Sequence, residues 1–256
     1  MELECSKKGY TLIVCDTNEE QEKEVRAVNN LSSRGVDGLI IAPVQDSDCH
    51  IRELTEKKFP FVLIDRCFDN FETNAVICND EEAAFDAVTH LIKLGHKRIG
   101  FISGRPNLYP VIKRLAGYKK AMQDHNILLK NNYIVGGDPT LDCAFNSAMT
   151  LLNLPDAPSA LIISGSIITL GVLKATIEKR LNIPKDISII GFTDTIYSPF
   201  LVCPLTTVTH SIKEIGSKAF ELLLSNIISE NSYSYSKISI KADFFLRSST
   251  TRNNSN

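Results

Sequence analysis

At 256 residues, 43% hydrophobic and 23% charged, the chain is long enough to bury a core in one large or two medium lobes. Its 28 Lys and Arg against 30 Asp and Glu leave a net charge of −2 with no long block of like charge, which excludes a polybasic nucleic-acid arm, a membrane-surface stripe and an acidic tail. Seven cysteines (5, 15, 49, 67, 78, 143 and 203) stand singly with no C-x-x-C pair, so a disulfide framework and a zinc site are excluded in favour of reduced thiols in a cytoplasmic protein.

In chain order, "MELECSKKGY" reads as the last turns of a helix ended by Gly9, followed by a strand in "TLIVC" (11–15). The chain therefore enters an α/β unit midway, and its natural beginning is expected to be missing. That N-terminal apolar run is too short for a signal peptide, and no stretch reaches the ~20 residues of a membrane span. A helix is predicted over 19–35, then strands "VDGLIIA", "FVLID" and "AVIC". From there helices alternate with strands: "EEAAFDAVTHLIKLG", "RIGFIS", "VIKRLAGYKKAMQDH", "YIVGG", "LDCAFNSAMTLLN", "ALIIS", "ITLGVLKATIEKRL", "ISIIGF", "TTVT", "IKEIGSKAFELLLSNII" and a final strand in "ISIKADFFL". Near-continuous apolar strands between amphipathic helices predict a parallel sheet covered on both faces. Asn79 or Asp80 is a natural cap for the helix carrying His90, Gly95 suits its end, and Pro110 suits a first turn. The tail 249–256, "STTRNNSN", is polar and expected to be loose.

Catalytic signatures are absent: no phosphate loop, dinucleotide turn, nucleophile elbow or H-E-x-x-H occurs. The five histidines (50, 90, 96, 125 and 210) show no ligand spacing, and His90 reads as a packed helix residue. "SGSIITLG" around Gly165 begins a helix after a strand and could present backbone N–H groups to an anion, though a plain βα loop explains it more often. No metal, cofactor or catalytic residue is expected. What remains is a set of polar groups at strand carboxyl ends, where open α/β sheets bind ligands: Asp65, Cys78, Asn79, Ser103, Ser164, Thr193 and Asp194. Each alone is equally a turn or cap residue.

Arg114 stands out in "GRPNLYPVIKRLAGY" (104–118). Val111, Leu115, Tyr118 and Met122 define the buried stripe, and at about 100° per residue Arg114 lies roughly 60° from its centre, while Lys113 and Lys120 lie nearly opposite. The lysines are expected to face water and Arg114 to sit on the shoulder of the packed face, in the first turn. A planar guanidinium suits carboxylate or vicinal hydroxyl groups; an internal salt bridge is the equal alternative.

The ordered phrases "RGVDGLIIAPV", "FVLIDR", "NDEEAAFDAVTHLIKLGHKRIGFISG", "KRLAGYKKAM", "IPKDISIIGFTD" and "PLTTVTHSIKEIGSKAFELLL" resemble the effector-binding core of the LacI/GalR family of bacterial transcription regulators, over residues 8 to 250. The wording "GRPNLYPVIKRLAGY" with "GFTD" and "FFLRSST" is more similar to the Bacteroidota-type branch than to the enteric repressors. The resemblance implies a periplasmic-binding-protein type I fold, two Rossmann-like lobes joined by crossover strands, with its first strand missing here. One lobe would be about 1–78 with 212–237, the other about 79–209 with 238–248. It implies a small effector, a sugar or derivative, in the cleft between lobes, and a homodimer. Operator DNA would be bound only in a full-length form carrying the helix-turn-helix headpiece and hinge helix.

The family's ligand arginine falls on Arg114, its acidic strand-end residue on Asp65 and a pocket-wall position on Cys78. Asn107 and Tyr109 match a loop that touches effector in some members. Departures accompany these matches: Gly165-Ser166 stands for a common Asn-Asp pair, Thr193 followed by Asp194 for an Asp, and His210 for a glutamine. The expected function is effector binding without catalysis by a truncated regulator. The rivals are a sugar-transporter receptor, which the missing signal peptide disfavours, and an α/β enzyme using Asp65, Arg114 or His210.

Overall fold

The apolar runs become parallel strands in the computed structural model, which describes residues 1–228 and 235–253. The first part of the chain forms α1 (Glu2–Lys7), α2 (Gln21–Ser33), β1 (Leu39–Ile41), α3 (Cys49–Glu56), β2 (Phe61–Ile64) and β3 (Ala75–Cys78). The middle forms α4 (Asp80–Lys93), β4 (Ile99–Ser103), α5 (Tyr109–Asp124), β5 (Ile134–Gly136), α6 (Leu141–Leu152), β6 (Ala160–Ile163), α7 (Ser166–Glu178), β7 (Ser188–Phe192) and β8 (Thr206–His210). The end forms α8 (Ile212–Ile228), β9 (Lys237–Ile240) and β10 (Ala242–Phe245). Two units result, Met1–Cys78 with Ser211–Ile240 and Asn79–His210 with Lys241–Asn256.

The first unit holds a parallel sheet in the order β1-β2-β3-β9. Val62, Val76 and Ile240 pack there against Ala219 and Leu223 of α8. A buried network braces α2 and α3: Glu24 accepts from the Val44 amide at 2.8 Å and meets His50 Nε2 at 2.6 Å. The strand expected at 11–15 does not form. A strand exists only where a neighbour completes its hydrogen-bond ladder; among the described residues none pairs with this segment, and Ile13 and Val14 stand exposed. Helix α3 is an addition to the predicted elements, formed around buried Ile51 and Leu54.

The second unit holds a sheet in the order β10-β8-β7-β6-β4-β5, parallel except for β10. Alternate residues feed two cores, as strand geometry requires. Phe101, Ile162 and Ile190 meet α4 and α5, while Ile102, Ile163 and Ile189 meet α6 and α7. Two glycines permit close helix crossings. A β-carbon on Gly117 of α5 would overlap the Glu81 carbonyl oxygen of α4, and one on Gly171 of α7 would lie 2.5 Å from the Ala144 β-carbon of α6. The chain runs outward from β4 to β5, then returns to β6 and proceeds to β7 and β8, so the switch in strand order lies between β4 and β6.

The tail differs from its expected looseness over 249–253; 254–256 lie outside the described residues. Ser249 is fully buried, donates to the Ile189 carbonyl at 2.6 Å and accepts from the Thr206 amide at 2.7 Å. The Thr251 carbonyl meets His96 Nε2 at 3.0 Å, and the Asn253 amide donates to Leu94 O at 2.9 Å. Ser249 docks because β7 and β8 offer it backbone groups, and Asn253 docks because the end of α4 offers a carbonyl. Among the described residues no helix is long and apolar enough to cross a membrane.

Candidate ligand site at the switch point of the second sheet

Gly117 determines where Arg114 goes. Because α5 crosses the first turn of α4 at Gly117, the side chain one turn earlier reaches Asp80, the first residue of α4. Arg114 Nε donates to Asp80 Oδ1 at 2.6 Å, with the arginine side chain 13% exposed and the aspartate fully buried. Arg114 Nη1 lies 3.3 Å from Ser164 Oγ and 3.5 Å from its carbonyl. Its Cζ stands 4.5 Å from the centre of the Phe192 ring, a cation–π arrangement. Arg114 is thus in the second turn of α5, not the first, because the helix begins at Tyr109. Lys113 is half-buried with its Nζ 5.2 Å from the Tyr109 ring centre, whereas Lys120 is exposed as expected.

The residues converging on Arg114 come from the ends of β6 and β7, on the switch-point side of the sheet. Ser164 follows β6 and its amide is tied to Ile102 O at 2.9 Å, which aims its side chain beyond the strand end. Gly165, with φ of 154°, leads into α7, whose first residue Ser166 is half-buried. Thr193, just past β7, is exposed and holds φ of 82°, a genuine outlier for a β-branched residue and the kind of strain found at functional positions.

Other predicted residues sit elsewhere. Asp194 is committed to the fold: Arg247 Nη1 and Nη2 donate to its two oxygens at 2.8 and 2.7 Å, and Thr207 Oγ1 adds a bond at 2.8 Å. Those contacts, the Arg247 guanidinium first, hold its carboxyl below the ordinary range. His210 Nε2 lies 3.3 Å from Asn79 Oδ1, which also accepts from the Ala242 amide at 2.8 Å. Asn107 is exposed in the loop before α5, while Tyr109 is buried. Asp65 and Cys78 belong to the first unit, at the ends of β2 and β3. Cys78 is buried; Asp65 is half-buried with φ of 63° beside Arg66. His90 packs against Phe244 and Thr250, a structural role.

Asp80 and Phe192 are the partners that sequence reasoning did not attach to Arg114. The signal was present in Gly117, three residues on from Arg114. Among the described residues no cluster of three or more His, Cys, Asp or Glu side chains is placed to hold a metal.

A family model described as the periplasmic binding protein-like domain matches residues 88–250. The chain is 33% identical over 216 residues to catabolite control protein A of Priestia megaterium, covering 84% of this chain and 65% of that protein. The chain therefore spans just under two thirds of that relative's length. A solved structure from Bacillus cereus subsp. cytotoxis NVH 391-98, assigned as a LacI transcriptional regulator, superimposes with a TM-score of 0.90 at 29% identity, covering 98% of this chain and 89% of that one. A sugar-binding LacI-family regulator from Escherichia coli, complexed with phosphate, gives 0.85 at 26% identity, covering 98% and 90%.

Proposed function

The chain belongs to the LacI/GalR family of transcriptional regulators, of which it carries the periplasmic-binding-protein-like core, and on that premise we propose that it binds a small polar effector through Arg114. The single observation that carries this reading is the Arg114 guanidinium at the β4/β6 switch point, with Nη1 weakly held by Ser164 and Nη2 unbonded among the described residues. Open α/β sheets take ligands at this place, and a guanidinium fork matches paired hydroxyl oxygens. Ser166 and the strained Thr193 are the neighbouring candidates; Asn107, Tyr109 and His210, and Asp65 and Cys78 of the first unit, complete the set that the family resemblance suggests. Asp194 is better read as structural.

A carbohydrate effector is supported by the sugar-binding regulator among the similar structures. The ligand is bound rather than transformed. A homodimer is supported by an exposed apolar stretch after β7, where Ile196, Phe200 and Val202 are 91%, 85% and 108% exposed, a patch of the kind that marks an interface. Operator DNA would be engaged in a full-length form, and a cytoplasmic location follows from that role. Regulation requires that the effector bind two conformations with different affinity.

A panel of pentoses and hexoses, tested by thermal denaturation, addresses the reading. A sugar at about 100 times its Kd should add about 2.7 kcal/mol of stability, and Arg114→Ala should remove that gain. Failure of every sugar to stabilise the wild type, or a gain that survives Arg114→Ala, overturns it.

A further inference from the structure

Arg114 is not a free cation. Its Nε is bound to Asp80 at 2.6 Å, and the Asp80 side chain is fully buried. Asp80 Oδ2 has no hydrogen-bond partner among the described residues, so Arg114 is the cation that compensates this carboxylate. Asp80 occupies the first position of α4, where the helix N-terminus favours a negative side chain. Gly117 locks the distance, since α5 and α4 touch there through backbone. Phe192 covers one face of the guanidinium, and Ser164 limits the swing of Nη1. The outcome is an ion pair with Nε as its internal contact and the far edge, Nη2 with part of Nη1, left to donate.

We propose that Asp80 is a positioning and specificity residue of this site, aiming the outer edge of Arg114 and cancelling its charge, so that the site takes uncharged oxygen acceptors and turns away carboxylate and phosphate anions. The physical reason is a balance of two terms. A hydrogen bond from an ion-paired guanidinium to a hydroxyl or carbonyl is weakened by the pairing but persists, because the fixed N–H fork still donates along its own dipole. The Coulomb attraction for a second anion is offset by the carboxylate already at contact distance, in a place too buried for water to screen it. This inference rests on the reading that Arg114 is the ligand-binding group, and it adds which ligands that group accepts.

Inorganic phosphate is the probe, titrated against chloride at matched ionic strength so that general screening cancels. The readout is the Nε–H resonance of Arg114 in the 15N-labelled full chain, identified by its loss in Arg114→Lys. In the wild type the resonance should be insensitive to phosphate. In Asp80→Asn, which keeps shape while removing the charge, phosphate should shift it, with a Kd tighter than any wild-type response by about tenfold or more. The Asp80→Asn, Arg114→Ala double variant should lose phosphate-dependent stabilisation.

Equal phosphate binding by wild type and Asp80→Asn, or a folded Asp80→Asn protein with no gain, overturns the proposal. Should Asp80→Asn not fold, the wild-type titration decides alone: an Arg114 shift with phosphate contradicts charge cancellation, and its absence with intact Arg114-dependent sugar binding supports it. The two readings also fail separately. Sugar binding that depends on Arg114, with phosphate bound equally by both proteins, keeps the effector site and rejects the role of Asp80. Phosphate exclusion that depends on Asp80, with no sugar bound, does the reverse.

Discussion

Gly117 and Glu81 meet so closely that a single β-carbon on the glycine would overlap the glutamate's carbonyl oxygen. Their contact seats Arg114 on Asp80. Gly117→Ala must force α5 and α4 apart against backbone, which has no rotamer to yield. The expected cost is about 1–3 kcal/mol, or a fall in Tm of roughly 2–4 °C per kcal/mol for a protein of this size, with weaker ligand binding alongside. Thermal denaturation of the variant checks this; an unchanged Tm would mean that the helices are not in contact at Gly117.

The Asp194–Arg247 pair yields an acid-side expectation. Arg247 holds the Asp194 carboxyl below its ordinary value of 3.8. A depressed carboxylate contributes stability that is present above its unfolded pKa and lost as pH falls through the folded one. Asp194→Asn should therefore be less stable than wild type at pH 6, and the gap should narrow below about pH 4. Tm measured for both proteins from pH 6 to 3 tests the sign; a gap that widens on acidification would contradict the pairing.

His96 acts in a separate window. Burial pushes its pKa below the ordinary 6.5, and the ring bridges Ser159 Oγ at 2.9 Å to the Thr251 carbonyl at 3.0 Å. The unfolded chain takes up the proton first, so stability present above pH 6.5 is lost as pH falls from there toward the folded value. His90, also lowered by burial, adds in the same direction. His96→Gln should flatten the decline in Tm between about pH 7 and 5 without abolishing it. An identical slope in the variant would remove His96 from the cause.

Ile196, Phe200 and Val202 are the most solvent-exposed large apolar side chains of the second unit. If they form the dimer contact, Phe200→Glu with Val202→Glu should convert a dimer to a monomer by light scattering while leaving Tm at low concentration unchanged. A dimer that persists places the interface elsewhere.

The architecture was legible because its strands are apolar on both faces and its helices carry clear stripes, so that Phe101 and Ile102 could be placed on opposite cores by alternation alone. The segment 11–15 reads as a strand for the same reason, yet β-propensity cannot supply the neighbour that a ladder needs. The polar tail differs from its expected looseness because composition does not show that Ser249 meets backbone groups of β7 and β8 while Thr251 meets the side chains of Ser188 and His96. At the site, helical phase placed Arg114 on the shoulder of its helix, but its partner Asp80 lies 34 residues away, beyond the reach of local periodicity. Asp194 was placed correctly at a strand end, and its commitment to Arg247 depends on the return of β10 beside β8.

Isothermal titration of the wild type and Arg114→Lys with the sugar that stabilises the wild type most is the most direct test of Arg114 as the effector-binding group. Lysine keeps the charge and loses the fork. Binding should weaken by about tenfold or more while the ligand-free Tm stays within a few degrees of wild type. Equal affinity in the two proteins, or no sugar bound by the wild type, would contradict it.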